Sequence, residues 1–405
     1  MKKQLHKRMS KEGVVAILKA FNSHKLTEDQ ACSLLDVGRS HLYRLRDQWL
    51  QEGIELQLYK QSNRRRISLP SLIEEFLLSE FKFIRQEAGY SRGEFNFALL
   101  SEEVDKRFNY FLYRNTIRRL AVKSGYYKPI PGKKRKVYRR FEMAGPGMLL
   151  QHDTSIHNWI PCLPTKQALI LTKDDYSRKL LGGIIVPVET SWDHIMRVKE
   201  IVLKYGIPVA YYVDNHSIFK YVSYDGGYIR NIQKGEEGKV QFHRVLTMLG
   251  VNLIHTGIGE AQAKGKIEKS FDYLQRRIPY LCERKKIKDI KGGNEILQEV
   301  LDYYNTRRRH EETHKIPDVR WEDAIRTGGI YFRRVPDGMD LDFIFSLHYP
   351  RVVRKDGTIS YKGKFWKVGN EAPGKIVTLC LVPGVKFMVY SENRKIAEYF
   401  LSEES

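Results

Sequence analysis

The sequence has few cysteines and no long apolar run, and each absence removes a class of protein. Its four cysteines are widely separated and form no Cys-x-x-Cys pair, which excludes a cysteine-based zinc finger and disfavours a disulfide scaffold. No stretch approaches roughly 18 consecutive apolar residues, and no apolar segment follows the basic residues 1–10. We therefore expect a soluble protein of a reducing compartment, with no membrane span and no secretory signal.

Acidic residues are also scarce relative to basic ones. The 405 residues include 70 Lys and Arg but only 48 Asp and Glu, a formal net charge of +22. Such an excess favours a polyanionic partner, most often a nucleic acid, although solubility alone is the alternative explanation. The chain is 42% hydrophobic, which excludes disorder of the whole chain, and its length predicts two to four domains.

Residues 1–60 predict a helical DNA-binding domain. Apolar spacing indicates three helices, over residues 11–22, 27–35 and 40–51. Gly38 lies in the turn before the third helix, and Ser40 can cap that helix. The second and third helices have the spacing of a helix-turn-helix motif, whose recognition helix reads DNA, while an ordinary three-helix bundle is the alternative. The candidate DNA contacts on the third helix are Ser40, His41 and Arg44.

Residues 67–128 predict a second helix-turn-helix module. Its helices are expected over residues 70–81, 94–108 and 115–123. In the last of them Ile117 and Leu120 face inward, which leaves three basic candidates for DNA contact outside: Arg114, Arg118 and Arg119. The basic linker 129–146 contains the string GKKRKVYRR, which is dense enough in charge to follow DNA phosphates. Its candidate contacts are Lys133, Lys134 and Arg135.

The remaining sequence predicts an α/β domain and a small β domain. In residues 147–328, strand-like and helix-like segments alternate, with expected strands over 148–153, 168–172, 180–188, 208–213 and 251–255. A long helix is expected over residues 261–280, and the Gly-rich segment 221–240 is typical of an insertion. Residues 345–405 contain short alternating strands separated by Asp-Gly and Pro-Gly turns, which predicts a small β-barrel.

Three carboxylates stand at the ends of strands or on a helix of the predicted α/β domain. Asp153 follows the apolar string MLLQH, Asp214 follows PVAYYV, and Glu268 lies in the helix after the fifth strand. A carboxylate that extends from a buried strand into a cleft needs a partner, and a divalent cation is one. Mg²⁺ takes oxygen ligands, and two ions about 3.5 to 4 Å apart support phosphoryl transfer. Ordinary surface acids are the alternative, since the chain has 48 acidic residues.

Five strings of this domain carry a family resemblance: LLQHDTS, KDDYSRKLLGG, YYVDNHSIF, GEAQAKGKIEKSF and YYNTRRRHEETHKIPDVRWEDA. In order and spacing they resemble the integrase-like catalytic core of bacterial insertion-sequence transposases, which are relatives of retroviral integrases. GKIEKSF is the most specific string, because the family's catalytic glutamate lies in that helix beside small and basic residues. The two helical modules and the C-terminal strands also fit the layout of the family.

This resemblance implies an RNase H-like mixed α/β core between helix-turn-helix modules and a small barrel. It matches Asp153, Asp214 and Glu268 to the catalytic, metal-binding DDE triad, with two Mg²⁺ ions that Mn²⁺ can replace. It implies strand cleavage and strand transfer at the terminal inverted repeats of an insertion sequence. The acting form would be a homodimer or larger assembly, bound to double-stranded element ends and target DNA in the bacterial cytosol. Asp175 matches a hairpin acid that is usually structural.

Two features depart from the family pattern. Residues 214 and 268 are farther apart than in integrases, and the commoner string Asp-Asn-Gly-Ser is Asp214-Asn215-His216-Ser217 here. Basic residues surround the triad, and four of them are candidate phosphate contacts: Lys264, Lys266, Lys269 and Arg276. Solvated basic heads over apolar stems are the alternative. Two rival functions are a DNA-binding regulator or domesticated transposase that no longer cuts, and a nuclease of the same fold that acts on RNA hybrids.

Overall fold

A computed structural model describes Leu5 and residues 8–58, 69–87, 95–129, 142–214, 241–255, 261–392 and 394–401. The chain divides into two compact units, Met1–Ser71 and Leu72–Ser405. No helix within these ranges is long and apolar enough to cross a membrane. Several predicted features lie outside the described residues, namely the insertion 221–240, the string GKKRKVYRR, and with it Lys133, Lys134 and Arg135.

Within residues 8–58, the first unit has the three α-helices that the apolar spacing predicted. They are α1 (Lys11–Asn22), α2 (Glu28–Leu35) and α3 (Arg39–Glu52). Thr27 and Gln30 form a reciprocal capping box at the start of α2. The cap predicted for α3 is wrong, because the extended backbone of Gly38 (φ −78°, ψ 159°) starts the helix earlier and leaves Ser40 inside it. One apolar core joins the helices, with its buried members at Leu5, Val14, Leu18, Ala31, Leu35, Leu42, Leu45 and Leu56.

Three further helices are described in residues 69–129, ahead of the α/β domain. They are α4 (Ser71–Lys82), α5 (Phe97–Phe108) and α6 (Arg114–Lys123). The Tyr280 hydroxyl donates a hydrogen bond of 2.5 Å to the buried Glu80 carboxylate of α4. Arg277 forms an ion pair of 2.7 Å with Glu102 of α5. The second helical module and the α/β domain therefore share a buried polar interface.

The α/β domain is built on a five-stranded mixed sheet in the order β3-β2-β1-β4-β5. The strands are β1 (Leu150–His157), β2 (Gln167–Asp174), β3 (Leu180–Val186), β4 (Ala210–Val213) and β5 (Asn252–His255). The first three strands pair antiparallel, while β4 is parallel to β1 and β5 is parallel to β4. All eight residues of β2 are buried, which its apolar string ALIL predicted.

The helices described beside this sheet are α7 (Ser191–Tyr205), α8 (Gln241–Met248), α9 (Ala261–Gln275), α10 (Ile278–Arg284), α11 (Ile290–Thr306) and α12 (Pro317–Arg326). One apolar core joins α7 and α8 to the sheet, and another joins α9, α10 and α11 to it. The single helix predicted over residues 261–280 is wrong, because the chain breaks between α9 and α10. Pro279 lies in the first turn of α10, where its missing N–H needs no helical partner.

The C-terminal strands form a sheet and a separate hairpin. After α13 (Leu341–Phe345) come β6 (Leu347–Val352), β7 (Thr358–Tyr361), β8 (Lys364–Lys367), β9 (Ile376–Val382), β10 (Lys386–Ser391) and β11 (Arg394–Phe400). The sheet order is β11-β10-β9-β6, and β7 pairs with β8 alone. In the part of the chain that the structure describes, these strands do not close into the predicted barrel, although both sheets share an apolar core that includes Ile359, Leu379 and Phe387.

Candidate active site

The parallel pairing of β1 with β4 brings Asp153 and Asp214 to the same level. Gln151 pairs with Tyr212, and the same register carried two residues further aligns position 153 with position 214. Asp153 is 8% exposed, and Asp214, which directly follows β4, is half-buried. In open α/β sheets, ligands bind in the crevice outside the carboxyl ends of parallel strands. The register therefore predicts that carboxylates from two neighbouring strands lie close together.

Alternation along β1 turns Asp153 toward helix α9. The Gln151 side chain accepts a hydrogen bond of 3.1 Å from the main-chain N–H of Ile267. Ser155 Oγ accepts one of 3.2 Å from Gln275 Nε2, near the other end of the same helix. Side chains two residues apart on a strand share a face, so Asp153 lies on the face that α9 covers.

Glu268 lies on the flank of α9 that is turned toward β4. The opposite flank contacts β2, because Lys173 Nζ donates hydrogen bonds to the main-chain oxygen of Lys266 and to Ser270 Oγ. Since β2 and β4 lie on opposite sides of β1, the flank with Glu268 is directed toward the β4 side. Glu268 shares that flank with Gln275, two turns later, and its side chain is exposed.

The chemistry of these donors fits a divalent cation, because carboxylates are the oxygen ligands that Mg²⁺ takes. Within the described ranges, no group of three or more His, Cys, Asp or Glu side chains is arranged to hold a metal ion. The strand register brings Asp153 and Asp214 to one level, and the convergence of Glu268 with them stays a prediction. Residues 215–240, which follow Asp214, and residues 256–260, which precede α9, lie outside those ranges.

A buried polar network lies beside these acids. Asp175 is fully buried, and its carboxylate accepts a hydrogen bond of 2.9 Å from Gln151 Nε2. Lys266 Nζ donates to both Asp175 oxygens, at 2.6 and 2.8 Å. A buried carboxylate needs such a counter-charge, and Lys266 supplies it. Lys266 was predicted to contact phosphate, but this ion pair draws its side chain inward to 13% exposure.

Asp174, the neighbouring acid of the same hairpin, is also held inside the protein. Its carboxylate accepts hydrogen bonds from Gly147 N at 2.9 Å, from Ser177 N at 2.7 Å and from Ser177 Oγ at 2.6 Å. Burial raises the pKa of Asp174 to about 6, and these hydrogen bonds oppose the shift. Gly147 has φ +81°, and a Cβ there would meet the Phe332 ring at 2.3 Å, so this close approach needs glycine.

The residues predicted to contact DNA from the two helical modules are on exposed faces. On α3 these are Ser40, His41 and Arg44. On α6 they are Arg114, Arg118 and Arg119, and the same helix buries Ile117 and Leu120 as predicted. Exposure leaves these side chains accessible to a DNA groove or backbone.

The remaining basic candidates lie on or just after α9. Lys269 is exposed and pairs with Glu312 at 2.7 Å, and Arg276 is exposed and pairs with Asp272 at 2.8 Å. Exposed ion pairs contribute little free energy, so either side chain can exchange its partner for a phosphate. Lys264 belongs to α9, but its side chain lies outside the described residues.

Transposases are among the curated proteins that match this chain. The putative transposase y4bF of Sinorhizobium fredii is 22% identical over 320 residues, which cover 77% of this chain and 67% of that protein. The transposase for insertion sequence IS1202 of Streptococcus pneumoniae is 26% identical over 325 residues, which cover 71% of this chain and 66% of that protein. The chain thus spans about two thirds of the length of these relatives. No protein-family model matches it.

Solved structures are similar at a lower level. A chain of the simian T-cell lymphotropic virus intasome in complex with PP2A regulatory subunit B56 gamma is 13% identical, with 72% of this chain and 91% of that chain covered and a TM-score of 0.36. The HTLV-2 integrase catalytic core domain in complex with magnesium, in its dimeric form, is 13% identical, with 43% and 94% covered and a TM-score of 0.30. The sequence relatives confirm the resemblance drawn from the five strings, since this chain is similar in sequence to transposases, one of which belongs to an insertion sequence.

Proposed function

We propose that the protein is a metal-dependent transposase that cleaves the ends of an insertion sequence and transfers them to target DNA. The observation that carries this proposal is the register of β1 and β4, whose continuation by two residues aligns Asp153 with Asp214. Helix α9, with Glu268 on the flank toward β4, crosses the same face. The mixed α/β sheet supports an RNase H-like core, and the sequence relatives named above support the reaction class.

The three carboxylates are proposed as metal ligands rather than as general acids. Asp153, Asp214 and Glu268 would hold two Mg²⁺ ions, or Mn²⁺ in their place. Bound Mg²⁺ supplies Lewis acidity that activates an oxygen nucleophile and stabilises the leaving oxygen of a phosphodiester. Water would hydrolyse one phosphodiester and free a 3′-hydroxyl, which would then attack a phosphodiester of the target. The protein's contribution would be to present three carboxylates, one from a strand, one from the end of a strand and one from a helix.

The helical modules would read the terminal inverted repeats. Helices α3 and α6 would enter the major groove, with base-edge or phosphate contacts from Ser40, His41, Arg44, Arg114, Arg118 and Arg119. Lys264, Lys269 and Arg276 would hold the DNA backbone beside the site, and Lys133, Lys134 and Arg135 would follow phosphates between the modules and the core. Because two element ends must be joined, the active assembly would be a homodimer or larger.

A cleavage and strand-transfer assay on element-end DNA tests this proposal. Asp153→Asn, Asp214→Asn and Glu268→Gln each keep the shape of the side chain and remove its charge. We expect each variant to lose cleavage in Mg²⁺ and in Mn²⁺ while it binds the ends nearly as tightly as the wild type. Glu299→Gln, at an exposed acid of α11, is the matched control and should cleave normally. Cleavage at the wild-type rate by any of the three variants would overturn the assignment.

A DNA-binding regulator whose core does not cut is the second candidate. One observation favours it, namely that the described residues contain no three-ligand group arranged for a metal. The same assay separates the two functions. A wild-type protein that binds element ends but leaves them uncut in both Mg²⁺ and Mn²⁺ would support the regulator.

A further inference from the structure

We propose that Lys173 and Gln151 are positioning residues that fix helix α9 on the sheet and thereby set Glu268 relative to Asp153. The inference rests on the proposed function, because it assigns how that site is held together. Neither residue is proposed to touch DNA or a metal. Both act through the main chain and side chains of the helix that carries Glu268.

Gln151 connects the strand of Asp153 to the helix of Glu268. It is fully buried and lies two residues before Asp153 on the same face of β1. Its Oε1 accepts a hydrogen bond of 3.1 Å from the N–H of Ile267, the residue just before Glu268. Its Nε2 donates to Asp175 at 2.9 Å, which fixes the orientation of the amide. The Gln151 side chain therefore fixes the position of α9 along its own axis relative to β1.

Lys173 makes the second connection, from β2. Its side chain is 1% exposed, and Nζ donates to the main-chain oxygen of Lys266 and to Ser270 Oγ, both at 2.8 Å. These two partners stand two residues before and two residues after Glu268. Together with the Gln151 bond, they hold the helix at three points around Glu268, and the two Lys173 contacts lie on the flank opposite Glu268.

Stability alone does not account for this arrangement. Replacing buried charged groups by well-packed apolar residues is often neutral or stabilising, whereas directional hydrogen bonds select one packing among several. An apolar helix face can slide on a sheet, and a slip of one turn moves a residue by about 5.4 Å. A metal site needs its ligands within about 0.5 Å of their working positions. The contacts of Lys173 and Gln151 resist that slip in the helical turn that carries Glu268.

The first experiment measures the binding of Mn²⁺ alone, by electron paramagnetic resonance titration, together with steady-state cleavage of element-end DNA. Lys173→Met keeps the length of the side chain and removes its donors. We expect it to weaken Mn²⁺ binding and to lower kcat, each by about 10- to 100-fold, with KM for the DNA unchanged. Gln151→Leu should act in the same direction. A general loss of folded protein would also lower the apparent kcat with KM unchanged, but it would reduce the number of Mn²⁺ sites and leave the affinity of the remaining sites unchanged. The weaker Mn²⁺ affinity is therefore the result that distinguishes positioning from unfolding.

Asn305→Leu is the matched control. Asn305 is a buried residue of α11 that exchanges two hydrogen bonds of 2.9 Å with the main chain of Leu180 on β3. Its loss removes a comparable helix-to-sheet connection that does not involve α9. We expect a comparable fall in melting temperature, with Mn²⁺ affinity and kcat close to those of the wild type. Should Lys173→Met not fold, Ser270→Ala removes only one acceptor, and we expect a smaller loss of Mn²⁺ affinity from it.

A double-mutant cycle tests whether Lys173 acts through Glu268. If it does, Lys173→Met added to Glu268→Gln weakens Mn²⁺ binding little further, because the positioned ligand is already gone. Additive losses, a wild-type Mn²⁺ affinity in Lys173→Met, or an equal loss in Asn305→Leu would each overturn the positioning role. A wild-type protein that neither binds Mn²⁺ nor cleaves would overturn the proposed function and, with it, this inference. Normal wild-type cleavage with unimpaired positioning variants would overturn the positioning role alone.

Discussion

Arg277 and Glu102 form an ion pair of 2.7 Å in which the arginine side chain is 4% exposed and the glutamate side chain 17% exposed. The pair joins helix α5 of the second helical module to the turn between α9 and α10. The Arg277 guanidinium also lies 4.2 Å from the centre of the Tyr273 ring. Burial raises the pKa of Glu102, and the charge of Arg277 opposes that shift. The helix that carries Glu268 is thus followed at once by a buried electrostatic contact with the module.

Removal of Arg277 should therefore lower the stability of the folded protein. Arg277→Met leaves a buried carboxylate without its counter-charge, and we expect the free energy of unfolding to fall by about 3 to 5 kcal/mol. Arg326→Met is the control, because Arg326 is 78% exposed and its pair with Asp323 should contribute little to stability. Chemical denaturation measures both. Equal losses in the two variants would show that the Arg277 pair is not buried in solution.

Two truncations should differ in stability. A chain of residues 69–405 removes the first unit without cutting α4, so we expect it to melt near the temperature of the full-length protein. Removal of residues 1–126 also removes Glu80 and Glu102, which leaves Tyr280 and Arg277 without their partners. We expect this longer truncation to melt about 5 °C lower or more.

The longer truncation also tests DNA recognition. Deleting residues 1–126 removes both α3 and α6, and we expect the footprint on element-end DNA to be lost. A footprint unchanged by this deletion would place recognition elsewhere in the chain. Melting curves and footprints on the same preparations separate loss of folding from loss of recognition.

His310 should make folding sensitive to mild acid. Burial, followed by the charges of Lys173 and Arg178, lowers the pKa of His310 to about 3, below its usual value near 6.5. As the pH falls below about 6.5, the unfolded chain binds a proton at this residue and the folded chain does not. Stability therefore falls, by up to about 3 kcal/mol between pH 6.5 and 4.5.

The measurement is the free energy of unfolding of the wild type and of His310→Gln at several pH values in this range. We expect the advantage of the wild type over the variant to shrink steadily on acidification. Asp174 has a pKa raised to about 6, so its contribution changes in the opposite direction between about pH 4 and 6, and it cancels in the comparison. A difference that stays constant with pH would mean that His310 is accessible to protons in the folded protein.

The arginines of α6 should contribute to the salt dependence of DNA binding. Arg118 and Arg119 are exposed, and a phosphate contact by either releases counterions. We expect Arg118→Ala or Arg119→Ala to weaken binding and to reduce the slope of log K against log salt by about 1. Arg326→Ala, an exposed arginine of α12, should leave that slope unchanged. An unchanged slope in both α6 variants would remove this helix from the DNA interface.

Local patterns predicted most helices and strands of this protein. Thr27 is a residue that favours a helix start, and it caps α2. The apolar string ALIL favours a strand, and it lies in the buried strand β2. Both signals act over a few neighbouring residues. The same strand contains a charged residue, Lys173, whose partner cannot be identified from nearby residues. Lys173 follows ALILT in a strand buried at every position, and a charge there needs a partner from another element.

The sequence states directly which positions carry carboxylates. It also determined which segments form helices and strands, because these depend on nearby residues. Tertiary structure alone decided that Lys266 turns inward to Asp175, that the C-terminal strands form a sheet and a hairpin, and that Asp153 stands level with Asp214. Each of these depends on partners far away in the chain. Such pairings follow from strand register and from the need to compensate buried charge, and neither is encoded in a short window of residues.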